Sequence, residues 1–113
     1  MVEYNKIRME KEFVIKEING YIVEWDAEKN EINKKKHGIS FEAAALVFAD
    51  EHYLELYDDE HSINEDRYIA IGLVEDILFV VHTMRDENVR MISARLATNQ
   101  ERRFYYDSQR SDI

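Results

Sequence analysis

Arg85, Arg90, Ser93, Ala94, Arg95, Arg102 and Arg103 gather at the C-terminal end of the chain, directly after the apolar run 77–81. Arginine carries a planar, permanently charged fork that matches the geometry of phosphate and carboxylate. A set of arginines interleaved with hydroxyls therefore suits an anion, and a phosphodiester above all. The surrounding charge makes the placement informative. The formal net charge is −9, with nine basic and 19 acidic side chains in residues 1–84 against six Arg and five acids in residues 85–113. The bland use of the same residues is a solvated strand and helix.

Groups able to move protons are fewer. His37, preceded by Lys36, stands before Gly38 where a helix is expected to end, and its cation would favour the helix dipole or reach a phosphate. His61 lies among Asp58, Asp59, Glu60, Glu65 and Asp66. Histidine with carboxylates can bind a metal, but neither zinc-type spacing nor a calcium-loop pattern is present, so no metal site is assigned. His82 falls on an apolar face and reads as a structural histidine, while His52 reads as surface. There is no cysteine, no Gly-rich phosphate loop and no G-x-S-x-G elbow.

The elements that must hold these residues follow from periodicity. Asn19-Gly20 between two β-rich runs predicts a hairpin. Asp26 is the expected N-cap of a helix over 27–36, with Gly38 its stop, and Ser40 that of a helix over 41–48 burying Phe41, Ala44, Ala45, Val47 and Phe48. A short strand over 53–57 precedes the charged loop 58–66. Strands over 68–74, 77–84 and 89–95 then form an antiparallel meander. Thr98 and Glu101 predict a capping box opening a last helix that runs to 106. The class is α+β: an antiparallel sheet with two helices from the N-terminal half and one C-terminal helix packed on it, expected on one face.

With Val74 opposite Ile77 and Arg85 opposite Val89, alternation sorts the meander. Ile69, Ile71, Leu73, Leu78, Val80, His82, Met84, Arg90, Ile92 and Ala94 fall under the helices. Tyr68, Ala70, Gly72, Phe79, Val81, Thr83, Arg85, Val89, Met91, Ser93 and Arg95 fall on the other face. A face with small residues, aromatics and arginine can hold an RNA strand, Tyr68 or Phe79 stacking on bases while Arg85 and Arg95 grip phosphate. Thr83, Ser93 and Arg90 are further candidate substrate contacts. Trp25 reads as a packing aromatic.

A chain of 113 residues, 45% hydrophobic and 12% aromatic, suits a single domain with a packed core. No apolar run approaches the roughly 20 residues that span a bilayer, and the N-terminus lacks a signal-peptide core, so a soluble cytoplasmic protein is expected. The acidity argues against general nucleic-acid binding, so any such site must be local.

Longer patterns add a family resemblance. Trp25-Asp26-x-x-Lys29-x-x-x-Asn33-x-x-Lys36-His37-Gly38-Ile39-Ser40-Phe41-Glu42-x-Ala44 resembles the opening signature of BrnT-type toxins. Val47-Phe48, Asp59, His61-Ser62, Glu65-x-Arg67, Gly72, Val80-Val81-x-Thr83-x-Arg85 and Arg90-x-Ile92-Ser93-Ala94-Arg95-x-Ala97 continue it, with Glu101 and Tyr105 in the last helix. The resemblance covers residues 21–106 and leaves residues 1–20 as an extension that forms the first strand of the hairpin. It implies a RelE-like fold and the toxin of a bacterial type II toxin–antitoxin pair, a metal-independent endoribonuclease that needs no cofactor and stops translation. It also implies a BrnA-type antitoxin as partner, with operator DNA contacted only through that antitoxin. The net acidity departs from the basic character common among RelE-like toxins.

Cleaving RNA without a metal uses the 2′-hydroxyl as nucleophile, a base to take its proton, an acid for the leaving 5′-oxygen and cations for the charge on phosphate. Arg85 and Arg95 fit the cation role. His37, His61, Lys36 and Tyr105 are the acid–base candidates, and Lys36 or Tyr105 would need a lowered pKa to act as base near neutrality. The alternative is a non-catalytic module that docks an acidic partner through its arginines.

Overall fold

The computed structural model describes residues 12–110. Strands β1 (Phe13–Ile18) and β2 (Tyr21–Asp26) form the expected hairpin about Asn19-Gly20. Asp26 closes β2 and caps helix α1 (Ala27–His37), its Oδ1 accepting from Glu28 N–H at 2.8 Å. Gly38 at φ 76° stops α1 in the left-handed region, where a Cβ would be strained. The Ser40 hydroxyl accepts from Ala43 N–H at 3.0 Å to open helix α2 (Phe41–Ala44), which tightens into a 3₁₀ turn, Ala45–Ala49. Strands β3 (Leu54–Tyr57), β4 (Tyr68–Val74), β5 (Asp76–Arg85) and β6 (Asn88–Leu96) follow, then helix α3 (Asn99–Ser108). The Thr98–Glu101 capping box forms as expected.

The six strands make one open sheet in the order β1-β2-β6-β5-β4-β3. Every neighbouring pair is antiparallel except β2 with β6, which run parallel through Val23–Val89 and Glu24–Arg90. The sheet is therefore mixed, with its one parallel pair joining the hairpin to the meander.

Register differs from expectation in both meander turns. Val74 pairs with Asp76 around Glu75 (φ 62°), so Ile69 and Ile71 share a face with Phe79 rather than with Leu78 and Val80. Arg85 pairs with Asn88 across Asp86-Glu87, a two-residue turn whose φ values of 54° and 72° are those of a tight hairpin. That pairing alone would send Ser93 and Arg95 under the helices. A β-bulge prevents it: His82 faces Met91 and Val81 faces Ser93, leaving Ile92 as the extra residue. Arg90, Ser93 and Arg95 consequently lie on one face with Thr83 and Arg85, whereas Val89, Met91 and Ala94 are buried beneath α1 and α2.

The helices occupy both faces, not one. The main core joins Val23, Trp25, Phe41, Val47, Phe48 and Val80 under α2 and its 3₁₀ turn. Gly72 belongs here because a Cβ would stand 2.3 Å from Val47 Cγ2. A second cluster on the opposite face packs Tyr105 of α3 against Ile71 and Ile77. Among the described residues no helix is long and apolar enough to cross a membrane.

Candidate active site

Helix α1 buries only Asn33, so an apolar stripe cannot be what docks it. Its amide does so instead. Beyond Arg90 the β2 partner has turned away, and Asn33 takes the place of a strand: Nδ2 donates to the Ala94 carbonyl at 2.9 Å and Oδ1 accepts from Ala94 N–H at 3.1 Å. Nδ2 also donates to the Ile39 carbonyl at 2.9 Å. This clamp sets the C-terminal turn of α1, with Lys36 and His37, beside the bulge.

The 58–66 loop is built onto the other side. Thr83 Oγ1 donates to the Asp66 carbonyl, Tyr57 OH donates to Asp66 Oδ1 at 2.9 Å, and Ser62 Oγ donates to the Asp58 carbonyl at 2.6 Å. Within the loop the His61 Nδ1 lies 3.0 Å from Asp58 Oδ2. A carboxylate at Nδ1 favours the tautomer whose Nε2 bears the free lone pair.

Between these walls three adjoining cavities meet at Ile92. One of about 290 Å³ holds Lys29, Lys36, His37 and Ser93. A second of about 390 Å³ holds His61, Asp58, Arg67, Ser93 and Arg95. A third of about 130 Å³ holds Thr83, Arg85, Arg67, Arg90, Lys29 and Phe13. Eight of the residues singled out in the sequence thus share one groove: Lys36, His37, His61, Thr83, Arg85, Arg90, Ser93 and Arg95. A larger cavity of about 540 Å³ lies elsewhere, lined by Leu46, Val74, Leu78 and Leu96.

The cations differ in how far they are committed to carboxylates of the chain itself. Arg90 is gripped by Glu24, Nε to Oε2 at 2.7 Å and Nη2 to Oε2 at 2.5 Å. Burial pushes the Glu24 carboxyl up, but hydrogen bonds from Asn88 and Arg90 outweigh it and hold the group below its ordinary range. Arg95 makes a two-pronged pair with Glu101 and lies 3.9 Å over the Phe79 ring. That pair holds the Glu101 carboxyl low as well. Arg85 is half-exposed and only 3.6 Å from Glu65, which also serves Arg67 at 3.9 Å. The Arg67 Nε is buried with no hydrogen-bond partner among the described residues. Lys29 and Lys36 make no ion pair there. Arg85, Arg67 and the two lysines are therefore the cations best placed to accept an outside anion.

Two candidates stand apart from the groove. Tyr105 is buried on α3, where its hydroxyl donates to Asp50 Oδ2 at 2.6 Å. Burial first, and then the Asp50 carboxylate, raise its pKa, against what a base needs. Asp50 also accepts from Leu73 N–H at 2.8 Å, so Tyr105 ties α3 to the sheet edge. Tyr68 lies on the face covered by α2, stacked on His82 at 5.8 Å and 28°, because the β4 register carries it there. Thr83 is buried with its hydroxyl already donated to the loop, so it supports the groove from below.

Lys29, Asp58, Arg67 and Phe13 line the groove without having been singled out for it. Lys29 and Arg67 stand inside two of the family patterns, Trp25-Asp26-x-x-Lys29 and Glu65-x-Arg67, and that was their available signal. Asp58 was one of five carboxylates near His61 and gained meaning only from its contact with that ring. Nothing local marked Phe13.

No curated protein matches the chain. A family model does match, over residues 25–101, which is more than half of the sequence and spans α1, the 58–66 loop and all of β4–β6. The chain belongs to the family of BrnT, the ribonuclease toxins of type II toxin–antitoxin systems.

Proposed function

We propose that this protein is a metal-independent endoribonuclease of the bacterial cytoplasm that inhibits translation by cutting RNA in the groove around Ile92 and Ser93. Family membership implies ribonuclease activity and an antitoxin partner. The observation that carries the finer reading is the convergence of two histidines on opposite walls with cations between them.

The backbone phosphate sits over Ser93, with Arg85 and Arg67 taking the charge that grows on its oxygens. One histidine removes the 2′-hydroxyl proton as that oxygen attacks phosphorus. The P–O5′ bond breaks, and the other histidine delivers a proton to O5′. The products are a 2′,3′-cyclic phosphate and a 5′-hydroxyl end. His61, oriented by Asp58 with Nε2 available, is the base; His37, beside Lys36, is the acid. Arg95 and Arg90, already neutralised by Glu101 and Glu24, shape the groove. The partner is a BrnA-type antitoxin that covers the same face and supplies operator binding, since a chain of net charge −9 repels DNA over most of its surface. A docking module for an acidic partner would have no use for histidines on both walls.

Purified protein incubated with RNA in EDTA tests this. Cleavage should persist in EDTA and leave cyclic phosphate ends, and His61→Ala should lower the rate about 10²–10⁴-fold. Cleavage lost in EDTA and restored by magnesium or manganese overturns it, as do 3′-hydroxyl ends. Intact RNA with tight capture of an acidic protein returns the choice to the docking module.

A further inference from the structure

Phe13 lies outside the span matched by the family model, yet it forms a wall of the catalytic groove. Val14 and Ile18 on the same strand are partly buried against the main core, whereas Phe13 is exposed. The ring is 44% exposed, so the core gains little from it. One ring face is covered by the Arg90 guanidinium, 4.5 Å from the centroid. Arg90 is locked in turn by Glu24, which it meets through both Nε and Nη2, so the cation under the ring is fixed. Arg85 and Arg67, less committed than Arg90 and Arg95, line the same cavity.

We propose that Phe13 is a nucleobase platform: a base of the bound RNA stacks on the ring face that Arg90 leaves open, and the adjoining phosphate reaches Arg85. This rests on the ribonuclease reading above and adds to it a positioning residue supplied by the β1 strand. Aromatic stacking accepts any base and strengthens binding without touching the bond that breaks. An arginine beneath the ring polarises it and prevents it from turning into the cavity. Glu24 and Arg90 act through Phe13, which explains why an arginine so close to the site is neutralised within the chain.

The test uses the full chain and a short 2′-O-methyl RNA, which binds but has no nucleophile. Phe13→Leu should weaken binding by roughly 5- to 150-fold, the effect of losing one aromatic–base stack, and Phe13→Tyr should restore it. Phe13→Trp adds a second indole beside the buried Trp25, and its emission should be quenched by the RNA while that of the wild type is not. With cleavable RNA, Phe13→Leu should raise KM and leave kcat within about twofold, because stacking is the same in ground and transition states. Equal RNA affinity of wild type and Phe13→Leu overturns the platform alone, and so does a loss confined to antitoxin capture. A wild type that binds no RNA overturns the ribonuclease reading and the platform with it.

Discussion

Arg95 and Glu101 are joined by two hydrogen bonds, Nη1 to Oε1 at 2.9 Å and Nη2 to Oε2 at 3.1 Å, and the same Oε1 accepts from the Thr98 N–H that opens α3 at 2.8 Å. One carboxylate thus serves the groove and the helix cap together. Glu101→Ala should cost about 1–2 kcal/mol, the worth of a cap plus a partly exposed ion pair. Arg95→Ala should cost about 0.5–1 kcal/mol, since roughly a third of its side chain is exposed. Urea unfolding of both single variants and the double variant should return a coupling of about 0.5–1 kcal/mol. Simple additivity would mean the pair is idle.

Among the described residues Arg85 makes no comparable bond. Its side chain is 50% exposed and its nearest carboxylate is 3.6 Å away. Arg85→Ala should therefore leave the melting temperature within about 2 °C, a change below roughly 0.5 kcal/mol. RNA cleavage should fall about 10²–10³-fold, the usual loss when one transition-state charge contact is removed. Growth inhibition on induced expression should disappear. Unchanged toxicity would remove Arg85 from the site.

Asn33 is the amide that docks α1, with three hydrogen bonds to the backbone of Ile39 and Ala94. Asn33→Ala strips partners from buried peptide groups and should cost about 2–4 kcal/mol. Because the same clamp sets His37 beside the bulge, amide exchange should accelerate at Ala94 and in α1 before the rest of the sheet. Asn33→Asp keeps the acceptor but turns a carboxylate oxygen toward the Ile39 and Ala94 carbonyls, and should cost at least as much as Asn33→Ala. A change under about 0.5 kcal/mol for Asn33→Ala would show that apolar contacts dock the helix after all.

His82 gives a pH signature. Burial pushes its pKa down to about 4, so its 3.9 Å contact with Glu55 is not an ion pair near neutrality. Between about 4 and an unfolded value near 6.5, the unfolded chain binds a proton that the folded chain does not. Stability contributed by neutral His82 is full above pH 6.5 and declines as pH falls toward 4, by about 3 kcal/mol at most. Melting curves from pH 7.5 to 4.5 should show this slope in the wild type and a flatter one in His82→Phe. Equal slopes would place the titration elsewhere.

Local chemistry settled much of this protein in advance. Asn19-Gly20, Asp26, Gly38, Ser40 and the Thr98–Glu101 box mark chain turns and helix ends through bonds that reach no more than three or four residues, so they can be read one after another. The buried side of α2 followed from its spacing, and His82 from its apolar neighbours. The arginine cluster and the long patterns about Lys36-His37 and Ser93-Ala94-Arg95 pointed to the family before any coordinates. What tertiary structure decided was which residues meet. Asp86-Glu87 forms a two-residue turn without the Asn-Gly signal, because neighbouring strands hold two non-glycine residues at positive φ. Alternation has a period of two, so that turn and the bulge at Ile92 each reverse a face, and only their combination sets Arg90, Ser93 and Arg95 together. Tyr68 and Tyr105 left the site for the same reason: one register and one helix docking, both set by contacts across the sheet. Arg67 between two cavities and Phe13 against Arg90 are likewise long-range juxtapositions that no single stretch of sequence contains, whereas Asp58 stands three residues from His61 and only the folded loop singles it out from the other carboxylates.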